Sequence, residues 1–228
     1  MGNSLWNLYA RFYDSTVLNF SAYGELLARI EKEINPLEKK KILNIGCGTA
    51  NLEKSVRGQE QNFTWIGIDQ SEEMLSIGQH KLGDDSRFQL ILHDMNDIES
   101  LQKGAFDFVL MVNSLYVASY PQKILEYIYN NLSNGGKLII SNPKETSSII
   151  KMLDYERKKR GFLSLLIIVI KLFPSLVINL LIRLRAGKGS YHFLSKKEMQ
   201  ELIVKSGLSI VDVEDSYAGQ SIFIIATK

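Results

Sequence analysis

The chain has 228 residues, 45% of them hydrophobic and 23% charged, with a formal net charge of +2. That balance suits a folded domain of ordinary composition, and it lacks the charge excess that draws a protein to nucleic acid. A single cysteine, Cys47, excludes an internal disulfide framework and fits a reducing, cytoplasmic setting. The opening "MGNSLWNLYARFYD" lacks the basic-then-apolar order of a secretory signal, and Trp6 stands where a myristoylation motif wants Ser or Thr.

The first stretch, "NSLWNLYARFYDSTVLNFSAYGELLARIEKEI", reads as two amphipathic helices with Asp14 and Ser15 as the break or cap between them. From Lys40 the pattern changes. "KKILNIG", "FTWIGID", "RFQLILHD", "FDFVLMVN" and "KLIISNP" are short, nearly continuous apolar runs, as expected of parallel strands buried on both faces. "NLEKSVRG", "SEEMLSIGQHKL" and "PQKILEYIYNNL" lie between them as helices. Strand–helix alternation implies right-handed crossovers and a doubly wound sheet. Near the end, "SKKEMQELIVKSG" is a helix with Ser195 as N-cap, Glu198 three residues on and Gly207 at its close. "LSIVDVEDSYAGQSIFIIATK" then gives two antiparallel strands joined at Ala218–Gly219.

The expected fold is therefore α/β: a doubly wound, Rossmann-like seven-stranded sheet of five parallel strands plus a C-terminal hairpin. The expected organisation is a helical cap over 1–39, a cofactor-binding core over 40–145 and a hydrophobic helical insertion over 146–190, with a helix and strand pair over 191–228 completing the core.

"ILNIGCGTAN" is the sharpest local signal: a strand ending at Ile45, then Gly46 and Gly48 in the turn before a helix. Glycines there tolerate positive φ and let a ligand approach the backbone. A dinucleotide fingerprint would need glycine where Asn51 stands, and a P-loop would need Gly-Lys-Ser/Thr, which is absent. "WIGID" ends its strand at Asp69, 21 residues after Gly48, where a carboxylate can accept both hydroxyls of a ribose. "LHDMND" ends the next strand with Asp94 and Met95, and "FDFVLMVNSLYVASYP" ends the fourth with Asn113, Ser114 and Tyr116. These positions fall beyond the carboxyl ends of successive strands, where open α/β sheets bind ligands.

Together these motifs resemble class I S-adenosylmethionine-dependent methyltransferases, on the small-molecule branch. The likeness covers roughly residues 40–145 and extends more faintly to both ends. The "DQSEEML" tail after the second strand, which holds Gln70 and Met74, is similar to that family's, and the aromatic "LWNLYARFYD" resembles the opening helix of ubiquinone/menaquinone-type members, which closes over the cofactor. Two positions depart from the family pattern: Asn44 takes the usual acidic place and Ala50 the third glycine. The resemblance implies S-adenosylmethionine as cofactor and S-adenosylhomocysteine as product, held by Asn44, Gly46, Cys47, Gly48, Asp69, Gln70, Met74, Asp94, Met95, Asn113 and Tyr13. It also implies Asp94 near the adenine amino group and the strand-four exit near the methyl group. "NPPY" and "DPPY", which mark base-methylating enzymes, are absent.

Candidate acid–base groups on the acceptor side are His192, Tyr116 and Tyr191. Three scattered histidines and one cysteine give no metal-ligand spacing. The run "FLSLLIIVIKLFPSLVINLLIRL", Phe162–Leu184, carries Lys171 and Pro174 near its middle. Strands of the sheet stand on both sides of it in the chain, so one membrane crossing would part them. It reads as two helices bent at Pro174, a lid over a small hydrophobic acceptor whose outer face, within 160–186, meets a bilayer surface or a second subunit. Two other functions stay open on sequence alone: a nicotinamide-dependent oxidoreductase, and a non-catalytic membrane-associated cofactor-binding module.

Overall fold

The computed structural model describes residues 2–34, 40–58, 63–101, 103–145, 148–162 and 192–228. Two helices come first, α1 (Gly2–Val17) and α2 (Ser21–Ile34). The core then alternates β1 (Lys40–Ile45), α3 (Asn51–Val56), β2 (Phe63–Asp69), α4 (Glu72–Leu82) and β3 (Phe88–Leu92). A short 3-10 helix (Met95–Ser100) leads to β4 (Phe106–Val112), and a second (Leu115–Val117) leads to α5 (Pro121–Asn131) and β5 (Leu132–Pro143). After α6 (Ile149–Arg160) the chain returns with α7 (Lys196–Lys205), β6 (Ser209–Ser216) and β7 (Ser221–Thr227).

The seven strands form one sheet in the order β3-β2-β1-β4-β5-β7-β6. The first five are parallel, and β7 runs antiparallel between β5 and β6. The order reverses direction between β1 and β4, which opens a crevice at their carboxyl ends. Near-continuous apolar runs make this possible because both faces of the inner strands are covered. Ile42, Leu43 and Ile45 of β1, Val109, Leu110 and Met111 of β4, and Ile139 and Ile140 of β5 are all buried. Each such side chain contributes about 1.5–3 kcal/mol, and truncating Ile45 to Ala would cost about 2–5 kcal/mol.

The helices follow local signals. Ser71 caps α4 by accepting from the Met74 N–H, and Ser195 with Glu198 makes a complete capping box on α7. Gly207 follows α7 with φ 95°. Two boundaries differ from expectation. The break between α1 and α2 lies at Leu18–Phe20, not at Asp14–Ser15, since both residues are inside α1. Asp14 does not cap the helix because its carboxylate is used elsewhere, as described below. β5 starts at Leu132, five residues before "KLIISNP", because the chain pairs Leu132 with Phe106 and then shifts register before Lys137 pairs with Phe108. Of the insertion expected over 146–190, α6 is described. It is tied to α2 by the buried carboxylate of Glu156, which accepts from the Ser21 N–H (2.5 Å) and Oγ (2.9 Å). Residues 163–191, which hold most of Phe162–Leu184 and all of Tyr191, lie outside the described residues.

Candidate active site

The loop after β1 is built by its backbone. Gly46 and Cys47 both donate N–H to the Ile68 carbonyl, at 2.8 and 2.9 Å, so the loop leans on the end of β2. Gly46 has φ 77°, and a Cβ there would fall 2.4 Å from the Ser114 Cβ. Ser114 is that close because its Oγ donates to the Ile45 carbonyl at 2.7 Å, stitching the β4 exit to β1. Gly48 has φ 56° and open space, with Tyr13 of α1 the nearest group at 4.0 Å from where a Cβ would stand. Ala50, at the third glycine position, is itself left-handed with φ 56°, so this residue carries strain that glycine would not. The Cys47 side chain is buried against β2, 3.0 Å from where a Cβ on Gly67 would stand, and burial pushes its thiol well up. That is a packing role, as its small size suggests.

Asp69 closes β2 and points back at this loop. Its Oδ2 accepts the Gly48 N–H and its Oδ1 the Ser71 N–H, both at 2.9 Å. Burial raises its pKa, and the backbone donors oppose that rise. Each oxygen has a second lone pair, so the carboxylate can still accept from two hydroxyls. The loop and carboxylate thus fit the ribose of an adenosine ligand. His93 donates N–H to the Asp69 carbonyl at 2.9 Å, which carries the β3 exit to the same place. There Asp94 is exposed and caps the 3-10 helix, accepting from Asn96 N and Nδ2 at 2.9 Å, while Met95 is buried with its Cε turned toward Gly46. Asn113 leaves β4 with φ 52°, its N–H on the Ser141 carbonyl at 2.7 Å. Gln70 is half-buried beside Asp69, and the Met74 side chain is buried under α4.

Asn44 behaves differently from a residue at the ligand surface. It is 2% exposed, and its Nδ2 donates at 2.8 Å to Glu53 Oε1 on α3. Trp65 Nε1 donates to the same oxygen at 2.9 Å. Glu53 is fully buried, and that burial lifts its pKa to about 7. The acid missing at the end of β1 is thus present nine residues later, buried on α3 against Asn44 and Trp65.

Side chains of α1, the loop, α3 and α4 together hold α1 over the loop. Asp14 Oδ1 accepts from Thr49 Oγ1 (2.6 Å) and Asn51 Nδ2 (2.9 Å). Lys81 Nζ, from α4, reaches Asp14 Oδ2 (2.6 Å), the Thr49 carbonyl (2.8 Å) and Asn51 Oδ1 (2.7 Å), which uses all three of its protons. Burial lowers its pKa, and Asp14 opposes that. Ser71 Oγ adds a bond to Asn7 Oδ1 at 2.6 Å. Asp14 stands in the last turn of α1, where an acid opposes the helix dipole, and Lys81 in the last turn of α4, where a lysine suits it, but neither position reveals its partner.

Tyr13 of α1 packs edge-on against Tyr9, and burial lifts its phenol pKa well above the ordinary range. Tyr217, in the β6–β7 turn with φ 53°, packs against Tyr23, whose pKa burial lifts to about 12. The described chain resumes at His192, whose N–H donates to the Tyr116 carbonyl at 2.7 Å, and Phe193 stacks on the Tyr116 ring at 5.8 Å. His192 and Tyr116 are therefore neighbours at the β4 exit, and the His192 side chain is exposed. Among the described residues no cluster of His, Cys, Asp and Glu could hold a metal ion. A groove of about 480 Å³ between α7 and β6, lined by Lys197, Gln200, Glu201, Val204, Lys205 and Ile210, lies near the start of β6. That is the opposite end of the sheet from the strand exits, and no glycine loop or converging acids accompany it.

Comparison with known proteins bears on the family and the fold. The family model described as "Methyltransferase domain" matches residues 37–206. The carboxy-S-adenosyl-L-methionine synthase of Campylobacter hominis is 26% identical over 210 residues, covering 88% of this chain and 81% of that protein. The solved structure of a SAM-dependent methyltransferase from Aquifex aeolicus superposes with a TM-score of 0.64, at 16% identity, covering 96% of this chain and 97% of that one. Magnesium protoporphyrin IX methyltransferase from Synechocystis, solved with bound SAH, gives 0.59 at 14% identity, covering 90% and 80%. At such identities the two structures speak for the fold alone.

Proposed function

The chain belongs to the methyltransferase domain family, as a class I S-adenosylmethionine-dependent methyltransferase, and on that premise we propose that it methylates a small hydrophobic acceptor bound at the β4 exit beside Tyr116. The observation that carries the reading is the Asp69 carboxylate, held against the glycine loop by the Gly48 N–H with acceptor capacity to spare. S-Adenosylmethionine supplies a methyl group already activated on its sulfonium. The protein's own work is then to hold, orient and exclude water. Asp69 accepts the ribose hydroxyls, Gly46 and Gly48 give backbone access, and Asp94 and Met95 flank the base. α1 covers the site, fixed by Asp14 and Lys81 and presenting Tyr13 toward Gly48.

The acceptor's proton, where there is one to remove, goes to the neutral imidazole of His192 or to the phenolate of Tyr116; Tyr191 lies outside the described residues. The family match gives no support to a nicotinamide enzyme, and Asn51, which replaces the glycine of that fingerprint, is engaged with Asp14 and Lys81. The apolar composition of Phe162–Leu184 supports a hydrophobic acceptor, and the reading extends to that run as a lid that touches a membrane surface or a second subunit of a cytoplasmic protein. No helix among the described residues is long and apolar enough to cross a membrane.

The test is turnover of S-adenosylmethionine against a panel of quinols, phenols, amines and lipids, with both products followed by mass. One relative is named for making carboxy-S-adenosylmethionine, so the fate of the cofactor is measured as well as that of the acceptor. Methylated product that depends on His192 or Tyr116 supports the proposal, and a cofactor altered without any methylated acceptor refutes it. Flotation with anionic liposomes, lost on deletion of 160–186, tests the membrane contact.

A further inference from the structure

Beneath the glycine loop, Asn44 and Glu53 form a closed pair that the reaction does not use. They stand on either side of the loop, Asn44 two residues before Gly46 and Glu53 in the first turn of α3. Both side chains are buried, at 2% and 0% exposure. One hydrogen bond joins them, from Asn44 Nδ2 to Glu53 Oε1, and Trp65 Nε1 supports the same oxygen. The other atom of each group, Asn44 Oδ1 and Glu53 Oε2, is buried with no hydrogen-bond partner. Two orphaned acceptors on groups already bonded face to face are costly, because a buried unsatisfied polar atom forfeits its hydration. A single proton removes both faults. If Glu53 is the neutral acid, Oε2–H can donate to Asn44 Oδ1 and complete the two-way ring that an amide and a carboxylic acid make.

We propose that Glu53 is held as a neutral carboxylic acid, donating to Asn44, and that this pair is a proton-dependent clamp that positions the glycine loop for the cofactor. The surroundings favour the neutral form. Lys81 on α4 is the cation that acts on Glu53, and it is committed to Asp14 of α1, Thr49 and Asn51. Cys47 in the loop and Tyr23 on α2 bring no negative charge near neutral pH, since burial raises both. The hydrogen bonds that Asn44 and Trp65 donate to Oε1 favour the carboxylate, and burial outweighs them. Losing the proton would leave a buried carboxylate oxygen facing the Asn44 carbonyl oxygen, and only the bond from Asn44 Nδ2 to Glu53 Oε1 would still join the strand end to the helix start. Glu53 is thus a positioning residue, acting on the ligand only through Asn44 and the loop. The positioning role rests on the reading that S-adenosylmethionine binds there; the protonation does not.

The experiment has two arms on the whole chain. Infrared difference spectra between wild type and Glu53→Gln, without ligand, look for the carbonyl stretch of a protonated carboxylic acid. It is expected at acid pH and lost as pH rises, and its absence at about pH 5 would overturn the clamp, whatever the protein binds. The second arm titrates S-adenosylhomocysteine from about pH 6 to about pH 9. Wild-type affinity is expected to fall at least about threefold across that range. Glu53→Gln keeps the two-way pairing, with its amide donating to Asn44 Oδ1, and is expected to flatten the profile. An equal fall in both proteins would overturn the positioning role. Failure of either protein to bind the nucleoside would refute the cofactor reading instead, leaving the infrared result to decide the clamp.

Discussion

Replacing Lys81 with Met tests the latch between α1, α4 and the glycine loop. The lysine side chain is 12% exposed and that of its partner Asp14 26%, at 2.6 Å. Two further bonds go to the Thr49 carbonyl in the loop and to Asn51 Oδ1 at the start of α3. Removing one partner of a fully buried ion pair costs about 3–5 kcal/mol. Water can reach part of Asp14, so the expected loss here is about 2–3 kcal/mol. For a chain of this size that lowers Tm by about 5–10 °C. Met keeps the aliphatic stem's packing, so the loss reports the ammonium and its bonds. The assay is reversible denaturation of wild type, Lys81→Met, Asp14→Asn and the double variant. The cycle should return a coupling above about 1 kcal/mol, because the two side chains touch and share Asn51. A single-variant loss under about 0.5 kcal/mol, or additive variants, would refute the latch.

Two further expectations follow from the loop. Gly46→Ala should cost more than about 2 kcal/mol, since its Cβ would collide with Ser114 at 2.4 Å, whereas Gly48→Ala, with nothing nearer than 4.0 Å, should cost only the roughly 1 kcal/mol of a left-handed residue; equal losses in denaturant melts would contradict the described packing. Stability should also fall as pH rises from about 4.5 to about 7. Over that window the folded state keeps the Glu53 proton that the unfolded chain has released, so the contribution is complete below 4.5, declines through the window and is gone above about 7. The difference is about 3 kcal/mol, and Glu53→Gln should remove that component of the pH profile, leaving the rest unchanged.

The strands were legible because burial on both faces leaves near-continuous apolar runs, and each strand exit carried its own signal in Gly46, Asp69, Asp94 or Asn113. The hairpin and the α7 capping box were legible for equally local reasons. Other features depend on distant partners. Asp14 looked like a helix breaker because nothing local reveals that Thr49, Asn51 and Lys81 will meet it. Asn44 reads as a cofactor residue in the usual acidic place because the burial of Glu53, at an otherwise exposed type of helix position, is a product of packing by Trp65. Ala50 reads in the sequence only as the residue at the third glycine position, and the φ of 56° that the loop imposes on it is set by the folded chain. Tyr116 and His192 were singled out separately, and their contact through a backbone hydrogen bond appears only once the chain is folded.

The account turns on Asp69 and the loop it holds, and calorimetric titration of S-adenosylhomocysteine into wild type and Asp69→Ala tests it most directly. Wild type should bind the nucleoside and ignore NAD. The variant, having lost the acceptor for two ribose hydroxyls and the brace on the Gly48 N–H, should bind more weakly by about 1–3 kcal/mol, at least about fivefold. Wild type that fails to bind, or a folded variant whose affinity stays within about twofold, would contradict the assignment of this crevice as the cofactor site.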